Sequence, residues 1–464
     1  MPGWFTNVGP ILLLLAVIGF VLWRLPKVDL GHTDEFKRRR FWNWFSLGMT
    51  YALLYFGRYN LAAINTELES MKLLSKAQFG DIDGIGSIVY GVAFLLNGPL
   101  TDRWGGRITI LIAAAGAAVA NIAMGVLFIQ LKDGAITPEQ FISWLTIAFC
   151  VNMYFQSFGA VSIVKVNAPW FHVRERGVLG GMFGILISLG IFFPYELSPG
   201  ILSGYSLGAV FMIPAGLLLG AFVVAFLVIK DTPGSAGHKD FETGDAVYAE
   251  ENPTLASIAR RMFSQRVIWI IVAIEFCSGF LRQAVMKWGR SYAKGVGDMG
   301  HFVFSKWGLI TCIAGILGGV FAGFISDHVF NSRRGPVASV LYGGLLAGSL
   351  IAFFALGTGA VPWAVAFMSL CVIGVHGMLS GTASMDFGGK KGAGIATGII
   401  DGFVYLGSGA QAFIYGRMLP KDEAAKVADN WAPWPGVMIP VAIVGLLLCT
   451  RVWNAKPTGK PAAH

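Results

Sequence analysis

Apolar stretches of about 20 residues recur along the entire sequence, separated by short loops rich in Lys and Arg. Helices of that length span the hydrocarbon core of a bilayer, and basic loops are typical of their cytoplasmic ends. Hydrophobic residues make up 55% of the 464 positions and charged residues 13%, whereas soluble domains carry about 25% charged residues. The sequence therefore predicts an all-α polytopic membrane protein whose partner is the lipid bilayer.

Several classes of function are disfavoured. The formal charge of +9 leaves no long basic tract once the loops are assigned, so we expect no nucleic acid partner. No nucleophile, metal cluster or nucleotide-binding loop is evident, and we expect neither an enzyme nor a cofactor. The cysteines all lie in apolar runs without a Cys-x-x-Cys pair, which favours small core residues over metal or redox sites. They are Cys150, Cys277, Cys312, Cys371 and Cys449.

The first apolar run, Ile11 to Trp23, differs from a signal peptide because no Lys or Arg precedes it and no cleavage site follows. Lys37 to Arg40 form a basic cluster on its far side. The positive-inside rule predicts an extra leading transmembrane helix whose N-terminus lies outside.

Twelve further apolar segments fall into two groups of six, on either side of a polar stretch. Basic loops predict that both ends of the core are cytoplasmic, although Arg290, Lys306 and Arg417 on the opposite side dilute the rule. We predict an extra helix and basic linker, a first six-helix bundle, a cytoplasmic linker, a second six-helix bundle and a short tail, at 1–40, 41–229, 230–266, 267–453 and 454–464.

The two halves repeat each other. Gly98-Pro-Leu-Thr-Asp102-Arg-Trp-Gly-Gly-Arg107 corresponds to a second stretch from Gly323 through Asp327 to Arg334, and the two aspartates lie 225 residues apart. Two parallel repeats of six helices, with a site between them near the bilayer midplane, are typical of secondary transporters.

One arginine lies inside an apolar segment of each half. Arg58 and Arg282 are 224 residues apart, in the same register as the aspartates. A guanidinium at bilayer depth costs at least about 3 kcal/mol unless it is paired, so each marks a functional site. Two guanidiniums match the oxygens of a phosphate dianion bidentately and neutralise its charge. The sequence predicts that both converge on one anionic substrate.

Helical spacing places other polar residues near these arginines. Tyr51, Tyr55 and Asn65 share the face of Arg58, where they either contact phosphate or line the cavity. Glu275 lies seven residues before Arg282 and either offsets its charge or meets a cationic group of the substrate. Lys287 is either a third cation or a snorkelling side chain near the segment's end.

Two further intramembrane groups have open roles. Asp401 either relays protons or pairs with an arginine, and His376 is either a packing residue or a proton carrier. Asp81 and Asp83 are accounted for by the preference of acids for a helix N-terminus. We interpret a separate charged set as a cytoplasmic gate that latches the two bundles, comprising Asp102, Arg103, Arg107, Asp327 and Arg334.

The sequence resembles the organophosphate:phosphate antiporters of the major facilitator superfamily. The resemblance rests on the Gly98–Arg107 motif, on Lys230-Asp-Thr-Pro-Gly-Ser-Ala-Gly237, and on the stretch from Asp386 to Gly398 followed by Tyr405-Leu-Gly407. It implies the major facilitator fold, a phosphoryl clamp of Arg58 and Arg282, and a site role or a packing role for Tyr405. The leading helix is not part of the pattern.

The chain departs from the family at three positions. A lysine of the second core helix, a histidine of the fifth and a tyrosine of the seventh are replaced by Phe94, Ile187 and Gly279. These changes argue against the family's familiar substrates.

The predicted function is a monomeric inner-membrane antiporter that imports a phosphorylated organic solute in exchange for inorganic phosphate. One alternative is a membrane sensor of an organophosphate, because the same family includes such sensors. Another is a proton-coupled carrier of an organic anion or zwitterion, in which Glu275, Asp401 or His376 takes the proton.

Overall fold

The computed structural model describes residues 16–20, 30–172, 175–243, 257, 260, 262–330 and 334–454. Within this range the side chains at 176–183, 323–324, 327–328, 334 and 380–394 are not described. Twelve long helices occur in the described residues, which we number α1 to α12. They are Asp34–Ala63, Lys76–Trp104, Gly106–Lys132, Pro138–Asn167, Arg176–Gly204, Leu207–Val228, Arg266–Gly295, Trp307–His328, Arg334–Phe354, Ala360–His376, Ala383–Met418 and Pro433–Arg451.

Helix starts follow from local capping chemistry. Ser75 and Gln78 form a reciprocal capping box before α2, and Thr137 and Gln140 form another before α4. Thr33 caps α1 by accepting a hydrogen bond from the Phe36 amide at 3.3 Å. The predicted basic linker up to residue 40 is therefore corrected, because its cluster of cations lies inside α1.

Nine of the helices in the described residues are long and apolar enough to cross a membrane, and Trp307–Ala322 of α8 is a shorter apolar helix. The apolar segments of the sequence thus correspond to helices, as predicted. Of the predicted leading helix, only residues 16–20 are described, and they are helical. Val17 and Ile18 pack against a cluster formed by α5 and α8. The rest of that prediction lies outside the described residues.

The helices pack as two groups, α1–α6 and α7–α12, which we call the N half and the C half. Within the N half α3 packs on α4 and α6, and within the C half α9 packs on α12. The halves meet chiefly where α2 packs on α11 and α5 on α8. We call the end nearest residues 229–243 the linker end and the opposite end the distal end.

Candidate functional site

Arg58 of α1 is only 3% exposed, and side chains of both halves contact its guanidinium. Its Nε and Nη2 donate to Gln156 Oε1 on α4 at 3.4 and 3.2 Å, and its Nη1 donates to the Tyr405 hydroxyl on α11 at 2.6 Å. The guanidinium carbon lies 4.3 and 4.6 Å from the ring centres of Tyr55 and Tyr90. Cation–π contact and hydrogen bonds together fix the orientation of this guanidinium.

Gln156, which accepts hydrogen bonds from Arg58, is itself held by hydrogen bonds. Gln156 Nε2 donates to the Leu54 carbonyl at 2.8 Å, and Asn121 and Asn152 both donate to the Gly57 carbonyl at 3.0 Å. Gly57 permits this approach, because a Cβ there would lie 2.9 Å from the Asn121 amide nitrogen. Buried amides in apolar surroundings need such partners, and here they make the N-half wall of the site rigid.

Arg282 of α7 is as buried as Arg58, at 4% exposure, but differs in its partners. Its guanidinium carbon lies 5.7 Å from the ring centre of Tyr405, and that of Arg58 lies 5.8 Å from the same centre. The Nε and Nη2 atoms of Arg282 are buried without a hydrogen-bond acceptor. A buried charged donor without an acceptor is costly, so these atoms are suited to receive an anion.

Close packing of α7 on α11 places Tyr405 beside Arg282. A Cβ at Gly279 would overlap the Val404 carbonyl, and a Cβ at Gly407 would overlap the Phe276 carbonyl. The family resemblance implies a tyrosine where Gly279 stands, but the α11 backbone occupies that space. Small residues let membrane helices approach this closely.

Aromatic rings line the rest of the site. Tyr90 lies 3.9 Å and Phe94 5.8 Å from the Tyr405 ring, measured between ring centres. Tyr51 packs edge-on against Tyr55 at 5.0 Å, one ring further from the guanidinium. Phe94, at the position where the resemblance implies a lysine, therefore supplies ring surface rather than a third cation on α2.

Three titratable groups lie on the C-half side. Glu275 is fully buried, and its Oε2 lies 3.5 Å from Nδ1 of His376 at the end of α10. Glu275 also interacts electrostatically with Asp401 and with Arg282. Asp401 is 6% exposed. Glu275 and Arg282 were predicted to share a helix face, and they form no ion pair within 4.0 Å. This absence is expected, because the helical rise over seven residues separates the two side chains.

Lys287 has a defined partner on the other half. Its Nζ lies 2.6 Å from both carboxylate oxygens of Asp83 on α2, and both side chains are 4% exposed. Gln283, one turn earlier, donates to the Tyr59 hydroxyl at 2.8 Å. The snorkelling alternative for Lys287 and the helix-terminus explanation for Asp83 are therefore wrong, because each side chain neutralises the other inside the protein.

Asn65 departs from the prediction. α1 ends at Ala63, and Asn65 begins a separate short helix, Asn65–Ser70. The helical spacing that placed Asn65 on the face of Arg58 does not continue through this break, although Asn65 is buried at 8% exposure.

The predicted gate residues are only partly brought together. Asp102 accepts from Lys165 Nζ at 2.8 Å in its own half and from the Ile395 amide of α11 at 3.2 Å. Arg107 instead donates to the Phe226 carbonyl and its amide to Asp231, both contacts within the N half and the start of the linker. Burial raises the pKa of Asp231, and the Arg107 and Gly106 amides oppose this. Arg103 is exposed, and the side chains of Asp327 and Arg334 lie outside the described part of the chain.

Sequence reasoning missed Gln156, Tyr90 and Asp83. The first two are polar residues inside apolar segments, and that signal was available in the sequence. The role of Asp83 required a partner 204 residues away, which no local pattern supplies. Within the described residues, no group of three or more His, Cys, Asp or Glu side chains could hold a metal ion.

Comparison with known proteins places this geometry in a family. Residues 40–412 match the Major Facilitator Superfamily. A bacterial homologue of the human lysosomal transporter Spinster, solved in an inward-facing and unoccupied conformation, superposes with a TM-score of 0.64. That comparison covers 93% of this chain and 100% of the other at 11% identity, so it supports the fold alone.

Sequence relatives cover nearly the whole chain. The glycerol-3-phosphate transporter of Bacillus subtilis is 26% identical, over 95% of this chain and 98% of its own length. The membrane sensor protein UhpC of Salmonella typhimurium is 24% identical over 90% and 93%. A probable hexose phosphate transport protein of Chlamydia trachomatis is 24% identical over 90% and 92%. The resemblance to the organophosphate branch is thereby confirmed.

Proposed function

The chain belongs to the Major Facilitator Superfamily, and on this premise we propose that it exchanges a phosphorylated organic solute for inorganic phosphate across a bacterial inner membrane. The relatives named as transporters of glycerol 3-phosphate and hexose phosphate support this substrate class. We further propose that Arg58 and Arg282 clamp the phosphoryl group and that the halves alternate access to it.

One observation carries the proposal. Arg58 and Arg282 come from opposite halves, flank the same Tyr405 ring, and are both nearly fully buried. Arg58 has its donors directed to protein acceptors, whereas Arg282 keeps Nε and Nη2 without one. An anion that accepts from Arg282 completes the site and joins the two halves.

Charge balance explains why such a site exchanges rather than leaks. A phosphate monoester carries nearly two negative charges at neutral pH, which two guanidiniums neutralise. Without an anion, closing the halves buries two guanidiniums without the dianion that the site is proposed to bind, and this cost disfavours the return of an empty carrier. Either anion, the ester or inorganic phosphate, relieves the cost.

The test is uptake of radiolabelled inorganic phosphate into proteoliposomes preloaded with phosphate, followed by competition with a panel of phosphate esters. Arg58→Lys and Arg282→Lys are each expected to reduce exchange roughly 100-fold, because an ammonium cannot reproduce the planar fork. Arg38→Lys and Arg451→Lys, at exposed positions on α1 and α12, are the matched controls.

The outcomes separate the alternatives. Exchange that persists in both site variants would remove the clamp. Phosphate binding without flux would favour a sensor, which the similarity to UhpC makes the second candidate. Uptake that is driven by an imposed pH gradient and needs no internal phosphate would favour a proton-coupled carrier.

A further inference from the structure

An apolar groove lies on the surface of the C half, outside the clamp. It runs between α7, α11 and α12 and encloses about 530 Å³, within the range of about 300–1,000 Å³ that is typical of small-molecule sites. Its apolar lining includes Trp269 and Ala273 of α7, Phe403 of α11 and Val444 of α12. Trp269 is 47% and Val444 49% exposed, so the groove opens on the outer surface of the helices. Since α7 and α12 are both long and apolar enough to cross a membrane, this surface faces lipid.

The groove has nearly the length of one membrane leaflet. α12 runs antiparallel to α7, since the Trp434 indole at the start of α12 donates to the Ala284 carbonyl in the second half of α7 at 3.0 Å. The lining stretches are 269–277 on α7 and 440–448 on α12, and each rises by about 12 Å along its helix. One leaflet contributes about 15 Å of the hydrocarbon core. The groove therefore fits an extended acyl chain that reaches from the linker end towards the middle of the bilayer.

Cations and a helix N-terminus lie at the linker end of the groove. Arg266 begins α7 three residues before Trp269, which places it on the same helical face as Trp269 and Ala273. The turn just before α7 is held against this face, because the Trp269 indole donates to the Phe263 carbonyl at 2.8 Å. That turn carries Arg260, and both arginines are exposed. The N-cap residue of α7 makes no side-chain hydrogen bond to the first turn, and the positive end of a helix favours an anion.

Two other occupants of the groove are disfavoured. In the leading segment, Val17 and Ile18 pack on the cluster between α5 and α8 rather than on the groove. A second copy of the chain, related by two-fold symmetry, would present the same surface to this one. Arg260 and Arg266 of the two copies would then approach each other as like charges, which opposes the contact. An anionic headgroup instead neutralises these arginines.

We propose that the groove is a binding site for one anionic phospholipid of the surrounding membrane. An acyl chain lies along α7 and α12, and the phosphate at the linker end accepts hydrogen bonds from Arg260 and Arg266. The proposal is independent of the proposed function, because the lipid and the clamp occupy different surfaces of the C half.

The test is native mass spectrometry of the purified full chain in mild detergent, titrated with dioleoylphosphatidylglycerol or with the zwitterionic dioleoylphosphatidylcholine. The wild type is expected to bind one phosphatidylglycerol roughly 10-fold more tightly than one phosphatidylcholine, because the two lipids differ in headgroup charge. Arg260→Gln combined with Arg266→Gln is expected to abolish this preference. Ala273→Trp fills the groove and leaves both arginines in place, and it is expected to weaken phosphatidylglycerol binding roughly 10-fold.

Two matched controls are expected to bind lipid as the wild type does. They are Lys37→Gln combined with Arg38→Gln, at exposed positions near the start of α1, and Val223→Trp on the outer surface of α6. Equal affinity of the wild type for the two lipids would overturn the proposal, as would a preference that survives in the double arginine variant.

Wild-type affinity in Ala273→Trp would likewise show that the acyl chain does not use the groove. Dimers that form in the wild type and are lost in Ala273→Trp would assign the groove to a second copy and also overturn the proposal. The double arginine variant changes only exposed side chains, so it decides the question even where Ala273→Trp fails to fold.

Discussion

Gln156 shows how a single side chain prepares the site. It accepts two hydrogen bonds from Arg58 on α1 and donates one to the carbonyl of Leu54, which is also on α1. The guanidinium is thus oriented before any substrate arrives, which lowers the entropic cost of binding. Arg282 lacks an equivalent acceptor among the described residues. The two arginines therefore differ in role, with Arg58 positioned by the protein and Arg282 available to the anion.

Replacing Gln156 with leucine is expected to weaken inorganic phosphate binding about 10- to 100-fold, because two hydrogen bonds to a buried charge are lost. Binding is measured by calorimetry, with thermal unfolding as a check on folding. Ser157→Ala is the control, since Ser157 is equally buried but bonds to Asn97, away from the clamp. Unchanged affinity in the leucine variant would show that Arg58 does not depend on this acceptor.

α7 and α11 act as a unit because they cross on glycines. The contact of Gly279 with Val404 and that of Gly407 with Phe276 bring the two backbones together on either side of Tyr405. Tyr405 is the residue that both guanidiniums flank, so the spacing of this crossing sets the geometry of the clamp. Gly279 departs from the family pattern, and the close packing of α7 on α11 in this chain requires a glycine there.

Gly279→Ala is expected to lower the thermal stability by several degrees and to reduce phosphate exchange at least roughly 10-fold, because the methyl group forces α11 away from α7. Gly216→Ala on α6 has open space around its Cβ position and is expected to leave both properties near wild type. Melting temperature and proteoliposome exchange are measured on the same preparations. Equal behaviour of the two variants would refute the role assigned to the crossing.

The distal end carries a consistent charge pattern between the halves. In four ion pairs of the described residues, the acid lies in the N half and the base in the C half. The pairs are Asp83–Lys287 at 2.6 Å, Asp81–Arg417 at 2.7 Å, Glu67–Arg290 at 3.3 Å and Glu196–Lys306 at 3.8 Å. This pattern explains why Arg290, Lys306 and Arg417 dilute the positive-inside rule, since each is bound to an acid of the other half.

Of these pairs, Asp83–Lys287 is nearly fully buried, so removing one partner leaves an uncompensated charge worth about 3–5 kcal/mol. Asp83→Asn is therefore expected to shift the protein toward conformations open at the distal end. The shift is measured as a longer distance between spin labels at Ala135 and Thr358, exposed positions in loops of the two halves. Glu423→Gln, whose acid pairs with Lys426 in its own loop, is the control.

A second variant makes the test specific. Exchanging the charges, with Asp83→Lys and Lys287→Asp together, is expected to bring the spin-label distance back toward the wild-type value. Unchanged distances in Asp83→Asn would mean that this pair does not hold the distal end closed.

The linear order of residues was sufficient for the twelve helices and for recognising one arginine inside an apolar run of each half of the sequence. These follow from local causes, namely the length of apolar runs and the cost of a charge in lipid. Boundaries such as the start of α1 at Asp34 and its end before Asn65 were less accessible, because capping and packing set them.

The partners of the charged groups depended on packing between segments far apart in the chain. Asp83 and Lys287 are separated by 204 residues, and Arg58 and Tyr405 by 347. Each was recognisable as a polar residue in an apolar run, but which side chains pair is settled only when α1, α2, α7 and α11 pack together. Burial makes every such charge require a partner, and the arrangement of the helices determines which partner is within reach.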